Sequence, residues 1–85
     1  MEGIGRTLKE GRVARGLDIV EIARRTCINA RYLRAMEEGR FNVIPRVFDK
    51  GYLKIYATLL EIDADPLLAL YEQHRSQPPA PTRAS

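Results

Sequence analysis

The chain has 85 residues, room for one domain whose core is too small to enclose a deep catalytic pocket. Hydrophobic residues make up 45% of it, enough to fold, and a net charge of +3 with a pI of about 9.4 permits an acidic partner without demanding one. The single cysteine, Cys27, excludes an internal disulfide and suits a reducing compartment. Residues Met1 to Thr7 lack the apolar run of a signal peptide, and no stretch nears the roughly 20 apolar residues that span a membrane, so the chain as given reads as a soluble, cytoplasmic domain.

The pattern is helical throughout, with no apolar–polar alternation long enough for a strand. A first helix is predicted from about Ile4 to Ala14, with Ile4 and Leu8 four apart on one face and Gly16 as a left-handed stop. Gly11 within it costs about 1 kcal/mol against alanine, which points either to a close neighbour or to plain tolerance. Asp18 reads as the cap of a second, short helix from Ile19 to Thr26, with Glu21 completing a variant capping box. Cys27 and Ile28 form a tight turn, and Asn29 caps a third helix that runs to Glu38 and stops at Gly39. A loop over Arg40 to Ile44 closes at Pro45, and a fourth helix is predicted from about Arg46 to Leu60. Asp65 followed by Pro66 reads as a cap and first turn, opening a fifth helix that ends near His74. The domain is therefore expected over residues 1–74. Residues 75–85, rich in proline and small side chains, are expected to be a flexible linker or tail.

The second and third helices have helix-turn-helix spacing. Ile22 and Ala23 face inward, Ile28 buries the turn, and Leu33 and Met36 form the inner face of the third helix. The fold expected is all-α: five helices in the lambda-repressor arrangement. Cys27 stands where repressor-type turns usually place glycine for its positive φ.

Two surfaces carry recognition chemistry. On the third helix, Asn29, Arg31 and Arg34 should point outward, where arginine pairs with guanine edges or phosphates and asparagine with adenine. Arg24 and Arg25 could touch backbone phosphates. The plainer reading is a solvated charged face with Arg34 and Glu38 paired one turn apart. Any DNA affinity is expected to be weak, non-specific and steeply salt-dependent. The fourth helix is apolar over well over half its circumference at about 100° per residue, more than a surface helix needs. Phe48 and Tyr52 lie four apart on one flank, with Tyr56 continuing the row and Lys50 and Lys54 on the opposite side. Periodicity alone leaves two readings open: a central buried helix, or aromatics flanked by basic groups that meet a protein partner.

The order Ile4-Gly5-x-x-Leu8-Lys9, Arg12-x-x-Arg15-Gly16-Leu17-Asp18, Ile22-Ala23-x-x-Thr26-x-Ile28, Tyr32-Leu33-x-Ala35-Met36-Glu37-Glu38-Gly39, Phe41, Pro45 and Gly51-Tyr52-Leu53-Lys54-x-Tyr56-Ala57-x-Leu59-Leu60-x-Ile62-Asp63 resembles the N-terminal cytoplasmic domain of the RodZ family of bacterial cell-shape proteins. The likeness runs from about Ile4 to Leu70, and the Gly-Tyr-Leu-Lys-x-Tyr-Ala run is its most specific part. The resemblance implies a domain that binds the actin homologue MreB and ties it to the membrane through a linker and one transmembrane helix. No such helix lies in this chain, which would then end within the linker. The family's contact aromatics fall on Phe48 and Tyr52, with Lys50 and Lys54 as the basic residues around them, and Tyr56 is left to the core. Ile44-Pro45 replaces the family's usual Leu-Pro, and Phe48 stands where many members carry tyrosine.

An enzyme is not expected. His74 is the one histidine, and no paired acid and base sit at useful spacing. Cys27 and His74 are too few for a structural zinc site, and no glycine-rich phosphate loop is present, so neither metal nor cofactor is expected.

Overall fold

The computed structural model describes residues 2–76. Five α-helices follow in order: α1 (Glu2–Ala14), α2 (Ile19–Thr26), α3 (Ala30–Glu37), α4 (Asp49–Leu59) and α5 (Ala64–Ser76), with a 3₁₀ turn over Phe41–Val43 between α3 and α4. Among the described residues there is no strand, as the missing alternation predicts.

One core binds all five helices. Ile4 and Leu8 of α1, Ile22 of α2, Leu33 and Met36 of α3, and Leu53 and Tyr56 of α4 are all fully buried, and Leu67 and Tyr71 close the α5 side. The helix-turn-helix skeleton is therefore the predicted one: Ile28 is buried in the turn and Ala23 packs against the core. Leu33→Ala removes a side chain with no exposure, so a loss of about 2–5 kcal/mol is expected in denaturant unfolding. A cost under ~1 kcal/mol would mean that Leu33 does not hold α3 in place.

Gly5 of α1 sets the α1–α3 spacing. A Cβ there would lie 2.2 Å from the Glu37 carbonyl oxygen, so only bare backbone fits. At Gly11 the neighbour is the tip of Ile62, 2.8 Å from a built Cβ, which resolves the two sequence readings toward close approach.

Helix ends follow local chemistry. The Asp18 carboxylate accepts from the Glu21 N–H at 2.8 Å, and Asn29 accepts from the Arg31 N–H at 2.8 Å. The capping box is only half made, because Glu21 turns away to pair with Arg25 at 3.0 Å and Arg24 at 3.8 Å. Cys27 ends α2 in the left-handed region at φ 61°, doing without glycine what the turn requires. Glu61 does the same after α4 at φ 59°, where Ile62 N–H reaches back to the Ala57 carbonyl at 2.9 Å.

Several boundaries differ from the sequence reading: α1 begins at Glu2 rather than near Ile4, and α3 and α4 each end one residue early, at Glu37 and Leu59. α4 begins at Asp49, not near Arg46, because Pro45 to Phe48 close a turn of their own, with the Phe48 N–H donating to the Pro45 carbonyl at 2.9 Å. α5 begins at Ala64, one residue before the expected cap. Asp63 accepts from the Asp65 N–H at 3.1 Å, and Pro66 sits in the first turn, where its missing N–H costs nothing. α5 also continues to Ser76, past the predicted end near His74. The rest of the expected tail, residues 77–85, lies outside the described residues.

Candidate partner-binding surface

α4 is pinned from both sides by buried polar groups. Arg12 of α1 forks onto Glu37 of α3, with Nε to Oε2 at 2.7 Å and Nη2 to Oε1 at 3.1 Å, and its remaining nitrogen donates to the Leu17 carbonyl at 3.1 Å. The Tyr56 hydroxyl of α4 donates to the same Glu37 carboxylate. One carboxylate thus ties three helices, with its side chain only 8% exposed. At the other end, Asp49 is buried at the start of α4 and accepts from the Tyr71 hydroxyl of α5, whose ring lies 4.7 Å from that of Phe41.

These partners shift both ionisable groups away from titration. The hydrogen bond to Glu37 raises the Arg12 guanidinium, so its charge is permanent. Burial first, and the hydrogen bond to Glu37 second, push the Tyr56 phenol far above its usual range. An unfolded tyrosine titrates near ~10, so the stability held by neutral Tyr56 is complete below that pH and is lost as pH rises above it. Urea midpoints should therefore fall above about pH 10, and Tyr56→Phe should flatten that fall. An equal fall in the variant would assign the alkaline loss to other groups.

With its core face so fixed, α4 presents a second apolar face outward. Phe48 is 48% exposed and stacks on Tyr52, with ring centroids 5.4 Å apart and planes 9° from parallel. Tyr52 is half-buried and backed by Tyr32 of α3 at 6.0 Å. The row does not continue to Tyr56, which is buried. It continues to Ile55, 44% exposed, and half-buried Leu59. Phe48, Tyr52, Ile55 and Leu59 are spaced i, i+4, i+7 and i+11, the spacing of one helix face, a signal that the aromatic row alone obscured. Val47, just before the helix, is 84% exposed.

The two lysines differ. Lys50 is ion-paired with Glu72 of α5. Lys54 is exposed and makes no ion pair among the described residues.

The outer face of α3 is basic. Arg31 and Arg34 are exposed and make no ion pair among the described residues. The Arg34–Glu38 pair expected from spacing does not form, because Glu38 meets Arg40 at 3.2 Å across the helix end. Asn29 spends its side-chain oxygen on the α3 cap, and Arg24 and Arg25 share Glu21. The structure thus brings Phe48 and Tyr52 together in one stack, while the arginines form no comparable cluster among the described residues. Among the described residues no cluster of histidine, cysteine or acidic groups could hold a metal, and no helix is long and apolar enough to cross a membrane.

Helices α2 and α3, with their turn and caps in place, define a helix-turn-helix domain in class. Residues 7–67 match the helix-turn-helix domain family, and the chain belongs to it, as a member of the RodZ type. It is 34% identical over 70 residues to the cytoskeleton protein RodZ of Streptococcus pneumoniae, covering 81% of this chain and 25% of that protein. It is 38% identical over 55 residues to YmfM, an uncharacterised membrane protein of Bacillus subtilis, covering 64% of this chain and 18% of that protein. The chain therefore spans a quarter or less of the length of these relatives. No solved structure matches.

Proposed function

We propose that this domain is the filament-binding part of a RodZ-like cell-shape protein and takes an MreB-type bacterial actin on the outer face of α4. The observation that carries the reading is the stacked Phe48–Tyr52 pair, left half-open to solvent on a helix whose other face is buried. Exposed aromatics on a small domain favour self-association, so their position calls for a partner. A relative named for the cytoskeleton supports the partner class, and one named a membrane protein supports attachment at the cytoplasmic face of a membrane by a segment outside this chain. The role is binding, not catalysis. The test is calorimetric titration of purified MreB with the 85-residue chain and with Phe48→Ala and Tyr52→Ala variants. Undiminished binding by folded variants would move the contact elsewhere.

A DNA reader is the second reading, and Arg31 and Arg34, exposed and without an ion pair among the described residues, favour it. Its contacts would be chiefly to phosphates through Arg31 and Arg34, since Asn29, the side chain suited to adenine, already caps α3. Such binding weakens steeply between ~50 and ~200 mM salt. Tight binding of one duplex at the higher salt, with mismatch penalties, would support a regulator instead.

A further inference from the structure

Gly51 occupies the first turns of α4, is exposed, and has nothing within 4 Å of where a Cβ would sit. Its φ is not positive, so neither backbone conformation nor internal packing calls for glycine there. Gly5 and Gly11 differ, since each meets a neighbour. A glycine inside a helix costs stability against alanine, so the position carries a penalty that the fold itself does not explain.

Its surroundings supply a reason. Phe48, Gly51, Tyr52 and Ile55 stand at i, i+3, i+4 and i+7, the four corners of the hole that receives a side chain when one helix packs on another. Three corners are large and apolar: the Phe48 and Tyr52 rings, stacked 5.4 Å apart, and Ile55. The fourth is bare backbone. Lys54 is exposed on the rim and makes no ion pair among the described residues.

We propose that Gly51 opens a socket between Phe48, Tyr52 and Ile55 for one apolar side chain projecting from a helix of the filament partner, with an acidic group beside it facing Lys54. This rests on the filament reading above and specifies it. The partner's recognition element is an amphipathic helix, and the aromatic stack is the socket's wall. Adding a single methyl group at position 51 narrows the socket without touching the core, so fold and binding should move in opposite directions.

The experiment is calorimetric titration of purified MreB with the 85-residue chain and its Gly51→Ala, Gly51→Leu and Gly3→Ala variants, beside thermal unfolding. Gly3 also has nothing within 4 Å of a Cβ and lies on α1, away from the strip. Gly51→Ala is expected to raise the melting temperature by a few degrees and to weaken binding about tenfold or more, as overpacking does. Gly51→Leu should abolish binding, and Gly3→Ala should leave it unchanged. If Gly51→Ala binds as tightly as the native chain while Phe48→Ala does not bind, the socket is wrong and the aromatic contact stands. If Phe48→Ala binds as tightly as the native chain, the filament reading falls and the socket with it.

Discussion

Gly5→Ala is expected to be the most damaging single-methyl change in the domain. The added Cβ would sit 2.2 Å from the Glu37 carbonyl oxygen and 2.8 Å from its carbon, both backbone atoms. No rotamer can relieve that contact, so α1 and α3 must separate. Separation would loosen Ile4 and Leu8 from Leu33 and Met36, which are all buried without exposure. It would also pull Arg12 from Glu37, leaving charges without partners at a largely buried site. Ordinary overpacking costs about 1–3 kcal/mol. Here backbone meets backbone, so ~3 kcal/mol or more is expected. A domain of this size loses about 4–8 °C of melting temperature per kcal/mol, so a drop of roughly 12–24 °C or outright unfolding should appear in circular dichroism. A melting temperature within ~3 °C of native would mean that the two helices have slack the geometry denies.

That contact marks a limit of what the sequence conveys. Periodicity and caps revealed the five helices, the inner faces Ile22, Leu33 and Met36, and the ends at Gly16 and Gly39, because these depend on neighbours within a turn or two. The demand on Gly5 comes from a residue more than thirty positions away. The same holds for Arg12, whose local pattern gives no sign of the Glu37 carboxylate it shares with the Tyr56 hydroxyl across three helices. Glu21 and Glu38 show the reverse error. Spacing predicted a return cap and a pair with Arg34, but Arg25, one turn on, and Arg40, just past the end of α3, took the two carboxylates.

The candidate surface was partly legible for the same reason. A row at steps of four drifts by about 40° per step around a helix turning 100° per residue, so Phe48 and Tyr52 share a face while Tyr56 rotates into the core. The buried hydroxyl contact to Glu37 then holds it there. Ile55, one residue earlier, takes the outer position. Lys50 and Lys54 look equivalent in sequence, yet only the former finds Glu72, carried in by α5.

Binding should collapse when the two outer aromatics are shortened. Phe48→Ala and Tyr52→Ala are each expected to cost about 2 kcal/mol or more in MreB affinity, close to thirtyfold, as truncated interface aromatics do. The rings stack on one another, so the double variant should lose less than the sum, since the first truncation already exposes the second ring. Phe48→Ala should leave stability nearly native, because the side chain is half-exposed. Tyr52→Ala should cost some stability, because Tyr52 also packs on Tyr32 and the core edge. Tyr56→Ala separates the two roles. It empties a fully buried site and leaves Glu37 without its hydroxyl donor, so the domain should unfold rather than merely release its partner. Lys54→Ala should slow association and reduce its salt dependence, and Lys50→Ala should do less, because Glu72 already offsets that charge. Arg31→Ala and Arg34→Ala should bind as the native chain does. Circular dichroism on every variant, followed by titration with MreB, reads out both properties. Loss of binding on the α3 arginines with the α4 aromatics silent would place recognition on the helix-turn-helix face instead.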